Sequence, residues 1–256
     1  VQTNSGEIVV PILYTGENAT SRAQYVGFGK RSYEKLVVSP TNSLLFNYNK
    51  MASLNIFLYL VIIFSSVIHE YSHAWMAYRL GDPTAKNAGR LTLNPLPHID
   101  PFGTVLMPLF LLLTAGIFIG WAKPVPYNPY NLSDKRWGSL KVGLAGPAAN
   151  ILLAVLLGIL LRFSFAGYLV FAGFLSPIFW ELVAFITYIN ISLALFNLLP
   201  FPPLDGSKIF EDLFPRYRSQ IASLGFLGVF LALALAFYFL PPLSSFVFRL
   251  ITGQRF

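Results

Sequence analysis

From residue 51 onward, apolar residues fall into long unbroken stretches, with polar residues gathered in the gaps between them. A helix needs about 20 apolar residues to cross a hydrocarbon layer of ~30 Å. Four stretches meet that length: helix A over about 52–80, helix C over 138–163, helix D over 176–199 and helix E over 221–240. A further apolar segment, B, covers 102–121, and 241–256 is short, Phe-containing and basic, which predicts an interfacial piece. Helix A is expected to end at Gly81-Asp82-Pro83. Between A and B the polar, Pro-punctuated stretch Ala88 to Asp100 contains Arg90-Leu91-Thr92-Leu93-Asn94, whose alternation predicts a short strand or hairpin. The pattern gives an all-α polytopic membrane protein with four to five transmembrane helices and a small β element.

Residues 1–50 differ from this pattern. They are polar, rich in Ser, Thr, Asn, Gly and Tyr, and lack a span-length apolar run. Glu7–Leu13 and Tyr33–Val38 alternate as short strands do. The chain begins with Val and its first Met is Met51, so this segment reads as an extramembrane region, a fusion piece or translation upstream of a start. No signal-peptide pattern is visible in it. The expected organisation is therefore 1–50 as a polar segment and 51–256 as the membrane-embedded domain.

Composition agrees. Hydrophobic residues make up 55% of the 256 and charged residues 11%, against about 25% charged in soluble domains. Too little polar surface is available to cover a water-soluble fold. The net charge of +7 would suit nucleic acid, but Lys and Arg flank the apolar runs, as the positive-inside rule has them do. There is no cysteine, so disulfides and thiolate metal sites are excluded and a metal must use His, Asp or Glu.

Helix A carries His69-Glu70-Tyr71-Ser72-His73. Two His four residues apart leave a helix on one face, one turn apart, and can hold a single ion. Zinc brings the pKa of a coordinated water to roughly 7, and Glu70, beside the first His, is placed as its general base. In a soluble helix such a pattern is often a solvated surface. Here it follows Val61-Ile62-Ile63-Phe64 in one apolar helix, where ionisable side chains are costly unless paired or liganded. A third ligand must come from elsewhere, and His98, Asp100, Glu181 and Asp205 are candidates. Asp205 has the most informative setting, since Pro200, Pro202 and Pro203 break the backbone just before Asp205-Gly206. Broken backbone at membrane depth lines a cavity or is covered by protein. The plainer readings are an ordinary Asp-Gly turn for Asp205 and an interfacial loop histidine for His98.

Three features together resemble the site-2 protease family of intramembrane zinc metalloproteases: His69-Glu70-xx-His73, Gly146-Pro147-Ala148-Ala149-Asn150, and the run from Asn197 to Asp205-Gly206. They cover about residues 60–210. The resemblance implies zinc on His69, His73 and Asp205, Glu70 as catalytic base, and Asn197 steadying the substrate carbonyl or oxyanion. It also implies that Arg90, Leu91, Thr92, Leu93 and Asn94 form an edge that pairs with an unwound substrate. Asn150 either helps bind the oxyanion or makes a helix–helix hydrogen bond. The implied partners are a transmembrane protein substrate and the lipid bilayer.

A parity argument adds topology. His69 and His73 lie about 26–32 Å along helix A from residue 52, at 1.5 Å per residue, and Asp205 follows the far end of helix D. The ligands meet only if A and D run the same way, with C between them reversed. Segment B must then enter and leave on one side as a re-entrant segment. With the site end cytoplasmic, that side collects Arg79, Lys86, Arg90, Lys123, Lys135, Arg136, Lys141, Lys208, Arg216 and Arg218. The opposite C–D connection has Arg162, which places the chain in the cell membrane with its site near the cytoplasm. Two other classes compete: a metal-ion transporter using His69, Glu70 and His73 as a transit site, and a catalytically silent binder of transmembrane partners.

Overall fold

The structure is a computed structural model that describes residues 9–13, 23–27, 40–115, 120, 122–165, 175–254 and 256. The chain divides into two units, Val1–Phe57 and Leu58–Phe256. In the first, β1 (Val9–Leu13) pairs antiparallel with β2 (Ala23–Gly27), Val9 opposite Gly27. The alternation over Glu7–Leu13 thus finds a partner, whereas Tyr33–Val38 lies outside the described residues. Helix α1 (Pro40–Arg79) begins well before the expected residue 52. Pro40 supplies a preset φ at its first position, and no Gly or Pro interrupts the chain from there to Arg79.

The second unit is an all-α polytopic membrane fold. After α1 come α2 (Thr84–Asn87), a 3₁₀ turn Leu96–His98, a π-helical turn Pro101–Leu106 leading into α3 (Met107–Ala115), α4 (Gly138–Phe165), α5 (Pro177–Asn197), α6 (Asp205–Leu213), α7 (Arg218–Ser223) and α8 (Gly225–Thr252). Among the described residues, Ile56–Arg79, Gly138–Ser164, Pro177–Asn197 and Leu227–Thr252 are long and apolar enough to cross a membrane. Their outward surfaces are greasy, with Leu60, Phe64, Leu152, Leu156, Phe230 and Phe237 exposed. Their inward surfaces include Ser65, His69, His73, Asn150, Thr187 and Asn190, all buried. Bilayer-facing apolar residues around a polar interior are what a lipid solvent selects.

Contacts fix the directions. Along α1, residues 65, 69 and 73 meet residues 150, 146 and 142 of α4 in falling order, so these helices are antiparallel. Asn190 of α5 meets both Ser65 and Asn150, and α5 then advances toward Asp205 as α1 advances toward His73. The expected parity of α1, α4 and α5 is therefore present. Helix α8 runs against α5, joined by Ser192–Ser244 at 3.0 Å and by Tyr188 stacked on Phe256. Its core with α4 and α5 contains Ala154, Leu161, Trp180, Val183, Ile191 and Phe248.

Two expectations are corrected here. The last helix does not stop near 240, and 241–256 is not a separate interfacial piece. Helix α8 runs through Pro241 and Pro242 to Thr252. Each proline removes one helical donor, but Tyr188 donates to the Pro241 carbonyl at 3.4 Å and Phe248 is buried in the core, so packing holds the helix across the break. The second concerns Ala88–Asp100, which forms no strand ladder among the described residues. Its backbone is tied locally instead: Thr92 Oγ1 accepts from Asn94 N at 3.1 Å, Asn94 Oδ1 from Leu96 N at 3.1 Å, and the Thr92 carbonyl bonds His98 Nε2 at 2.9 Å. Short polar side chains that bond nearby backbone compete with sheet formation.

The end of α1 is built around Asp82. Gly81 takes the left-handed conformation (φ 98°) that closes the helix. Asp82 is fully buried. Its carboxylate accepts from Thr84 N (3.1 Å) and Thr84 Oγ1 (2.5 Å), from Asn128 N (2.6 Å) and from Asn131 Nδ2 (2.9 Å). Helix α1 is thereby tied to the loop after segment B. Burial pushes this carboxyl up, but the hydrogen bonds outweigh it and hold it below the usual carboxylate range. A depressed folded value means the contribution is present above the ordinary Asp value, about 3.9, and is lost as pH falls through the folded one. Asp82→Ala is expected to destabilise the protein by roughly 2–4 kcal/mol near neutral pH. Thermal unfolding in detergent should show the gap to the parent shrinking in acid, and a gap that does not change with pH would contradict this account.

Candidate metal centre

His69 and His73 reach across one turn of α1 to Asp205, the first residue of α6. His69 Nε2 lies 2.9 Å from Asp205 Oδ2, His73 Nε2 lies 2.9 Å from the same oxygen, and the two Nε2 atoms are 3.0 Å apart. All three side chains are buried. The other faces of the rings decide what this triangle is. The His73 Nδ1 sits 2.6 Å from the Val142 carbonyl, which can only accept. The His69 Nδ1 sits 2.6 Å from Asn150 Oδ1. A relay orients that amide: Asn190 Nδ2 donates to the Ile186 carbonyl at 2.9 Å, which leaves Asn190 Oδ1 to accept from Asn150 Nδ2 at 2.8 Å. Asn150 Oδ1 must then face His69. Both Nδ1 atoms carry the proton, and both Nε2 atoms are lone-pair donors.

Two imidazole lone pairs and a carboxylate oxygen at 2.9–3.0 Å repel one another unless a cation sits among them. Tetrahedral zinc with bonds of about 2.0–2.1 Å sets its ligand atoms about 3.3 Å apart, close to this spacing. The residues present therefore fit the metal, and these three form the group of His, Asp and Glu able to hold an ion among the described residues.

Small residues make the approach possible. A Cβ on Gly146 would lie 2.6 Å from His69 Nε2, and one on Gly143 would lie 3.3 Å from the Asp205 carbonyl. The Gly146-Pro147 segment of α4 is thus a shelf against which the imidazoles rest. Lys208, three residues after Asp205 on α6, donates to Asp205 Oδ1 at 3.0 Å and turns the other oxygen toward the histidines. Burial pulls the Lys208 ammonium down, but the charge and hydrogen bond of Asp205 more than offset it and hold it above its usual value. Neither Lys208 nor the Ser65–Asn190 end of the relay was among the sequence candidates. The spacing of Lys208 from Asp205 on a helix was the available signal.

The three converging side chains open on a cavity of about 100 Å³ lined also by Glu70, Pro124, Val125, Tyr127, Asn197 and Lys208. Glu70 Oε2 accepts from Val125 N at 2.8 Å, which pins the carboxylate to the loop beyond segment B. Asn197 lines the same space, with its Nδ2 also donating to the Leu193 carbonyl at 2.9 Å. Asn150 does not face it: the residue is fully buried, its amide donates to Asn190 and Ser65, and its oxygen meets His69. The other third-ligand candidates are elsewhere. His98 is buried against Thr92, Asp100 caps the turn at Phe102 and Gly103, and Glu181 is exposed near the opposite end of α5. Arg90 is buried and donates to the Lys123 carbonyl at 2.5 Å, Leu91 and Thr92 are half-buried, and Leu93 and Asn94 are exposed.

Comparison with known proteins places the same segments in one family. The profile described as peptidase family M50 matches residues 57–178 and 172–241. A Bacillus subtilis protein named "Putative zinc metalloprotease YwhC" is 41% identical over 199 residues, 76% of this chain and 85% of that protein. A Mycolicibacterium smegmatis protein named in the same terms, Rip2, is 33% identical over 74% of this chain and 69% of its own length. Its Mycobacterium tuberculosis counterpart is 30% identical over 73% and 68%. No solved structure matches the chain. With the profile spanning the helices that carry His69, His73 and Asp205, the chain belongs to peptidase family M50, the site-2 protease family, and is a membrane-embedded metalloprotease.

Proposed function

We propose that this protein hydrolyses peptide bonds within or beside the transmembrane segments of other membrane proteins, with zinc held by His69, His73 and Asp205. One observation carries the reading: three acceptor atoms converge beside the Glu70 carboxylate at the end of a membrane helix. Zinc supplies Lewis acidity toward a carbonyl and acidifies water at neutral pH. Glu70, pinned by Val125 N, takes the proton from the attacking water and delivers it to the leaving amine. Asn197, on the cavity wall, donates to the carbonyl oxygen as charge develops there. The cavity is polar and roomy enough for water beside a peptide carbonyl.

We assign Asn150 to positioning rather than to the oxyanion, because its amide hydrogens face Asn190 and Ser65. Partners on the second nitrogen of a ligating His typically change metal affinity by about 10–100-fold. Asn150→Leu should weaken zinc binding by that amount in competition with a chelator, and Asn150→Asp, which keeps the acceptor, should restore it. Unchanged zinc affinity with a lower kcat would return Asn150 to an oxyanion role.

A substrate helix hides its carbonyls in its own hydrogen bonds, so it must unwind to be cut. The stretch Arg90–Asn94, exposed at Leu93 and Asn94, is the edge we propose for pairing with the extended segment, a ladder formed with substrate once its local bonds are given up. We also read 102–121 as re-entrant. In support, a Cβ on Gly120 would fall 2.7 Å from the Gly103 carbonyl, and Lys123 N donates to the His98 carbonyl at 3.0 Å. The basic residues near the site favour a cytoplasmic face.

The test uses purified protein in phospholipid vesicles with a panel of single-span membrane proteins, fragments being identified by mass spectrometry. Cuts within or beside the spanning segment, lost on chelation and restored by zinc, are the expected result. Intact substrates together with zinc flux across the vesicles would favour the transporter class instead.

A further inference from the structure

We propose that a second cavity, one helical turn from the metal centre, receives a large apolar side chain of the substrate next to the bond that is cut. The inference rests on the hydrolytic reading above and adds the chemistry of the substrate's flanking residue. The cavity has a volume of about 210 Å³, and Ile62, Ile63, Val67, Pro108 and Leu193 give it a predominantly apolar wall. An apolar cavity of about 150 Å³ admits benzene, so there is room for a Leu or Phe side chain.

Its position is set by three walls that it shares with the metal-centre cavity. On α1 the lining passes from Ser66 to Glu70, and on α5 from Leu193 to Asn197. In the loop after segment B it passes from Ala122 to Pro124. Four helical residues advance about 6 Å, and an extended peptide advances about 3.3 Å per residue. A peptide whose carbonyl lies beside Glu70 therefore places a side chain one or two residues away over the apolar cavity. Tyr59 and Thr104 also line it, with the Tyr59 hydroxyl donating to the Thr104 carbonyl. Membrane segments are rich in the large apolar residues that such walls hold and poor in charged ones.

The experiment takes the single-span protein cleaved in the vesicle assay and varies the residues flanking its cut, one position at a time, among Ala, Leu, Phe and Asp. The parent enzyme should prefer Leu or Phe over Asp at one flanking position. Ser66→Phe fills the cavity and should lower kcat/KM for Leu and Phe substrates at that position at least ~10-fold, with the Ala substrate much less affected. Ile63→Ala enlarges it and should shift preference toward Phe. Zinc content and thermal midpoint are read on both variants, and if Ser66→Phe fails to fold, Ile63→Ala alone decides. Cleavage with the same residue preference in parent and variants overturns this inference and leaves the hydrolytic reading standing. No cleavage of any substrate by the parent overturns both.

Discussion

Glu70→Gln is expected to lower the rate of substrate cleavage by roughly 10²–10⁴-fold, the usual contribution of a positioned general base, while zinc content stays at that of the parent. The substitution keeps the shape of the side chain and leaves an amide oxygen able to accept from Val125 N, which now bonds Glu70 Oε2 at 2.8 Å. Among the described residues lining the metal-centre cavity, it removes the one carboxylate besides Asp205. The loop should stay docked and the thermal midpoint should barely move. Inductively coupled plasma mass spectrometry on the purified variant reads the metal, and the vesicle assay reads the chemistry. Full activity with zinc retained would eliminate Glu70 as the base. Loss of zinc together with activity would make Glu70 part of the ion's environment instead.

The two histidines and the glutamate were legible because their relation is local: i and i+4 on a helix share a face whatever the rest of the chain does. Asp205 was legible for a different reason. Three prolines at a helix end break the backbone, and a break at membrane depth needs a purpose. Parity then linked the two pieces, and the antiparallel α4 between parallel α1 and α5 is what the contacts of Ser65, His69 and His73 display. The orientation of side-chain amides was not legible. Asn150 and Asn190 act through which end of each amide faces which neighbour, and only the packed helices decide that. Tertiary packing overrides the local rule at the Pro241-Pro242 pair inside α8, whereas the alternating Arg90–Asn94 stretch forms no ladder among the described residues because Thr92 and Asn94 side chains bond the backbone two residues on.

Asp205→Asn should cost the protein its metal. The amide is nearly isosteric, so packing against Gly143 and the start of α6 survives. The charge does not survive, and two neutral imidazoles then face a neutral oxygen or an amide N–H. A cation loses its only anionic ligand among the three residues. Lys208, now 3.0 Å from Asp205 Oδ1, would keep its positive charge with no counterion there, adding repulsion to the loss. Both effects weaken zinc in the same direction. The fall in affinity should therefore exceed the ~10–100-fold typical of losing an outer hydrogen-bond partner, and therefore that of Asn150→Leu. Cleavage should fall with zinc occupancy and recover in part at high zinc concentration, which Glu70→Gln should not do. That contrast separates the two carboxylates: one acts by holding the ion, the other by moving a proton. A variant that retains one zinc per chain at parent affinity would remove Asp205 from the ligand set and leave His69 and His73 in need of another partner.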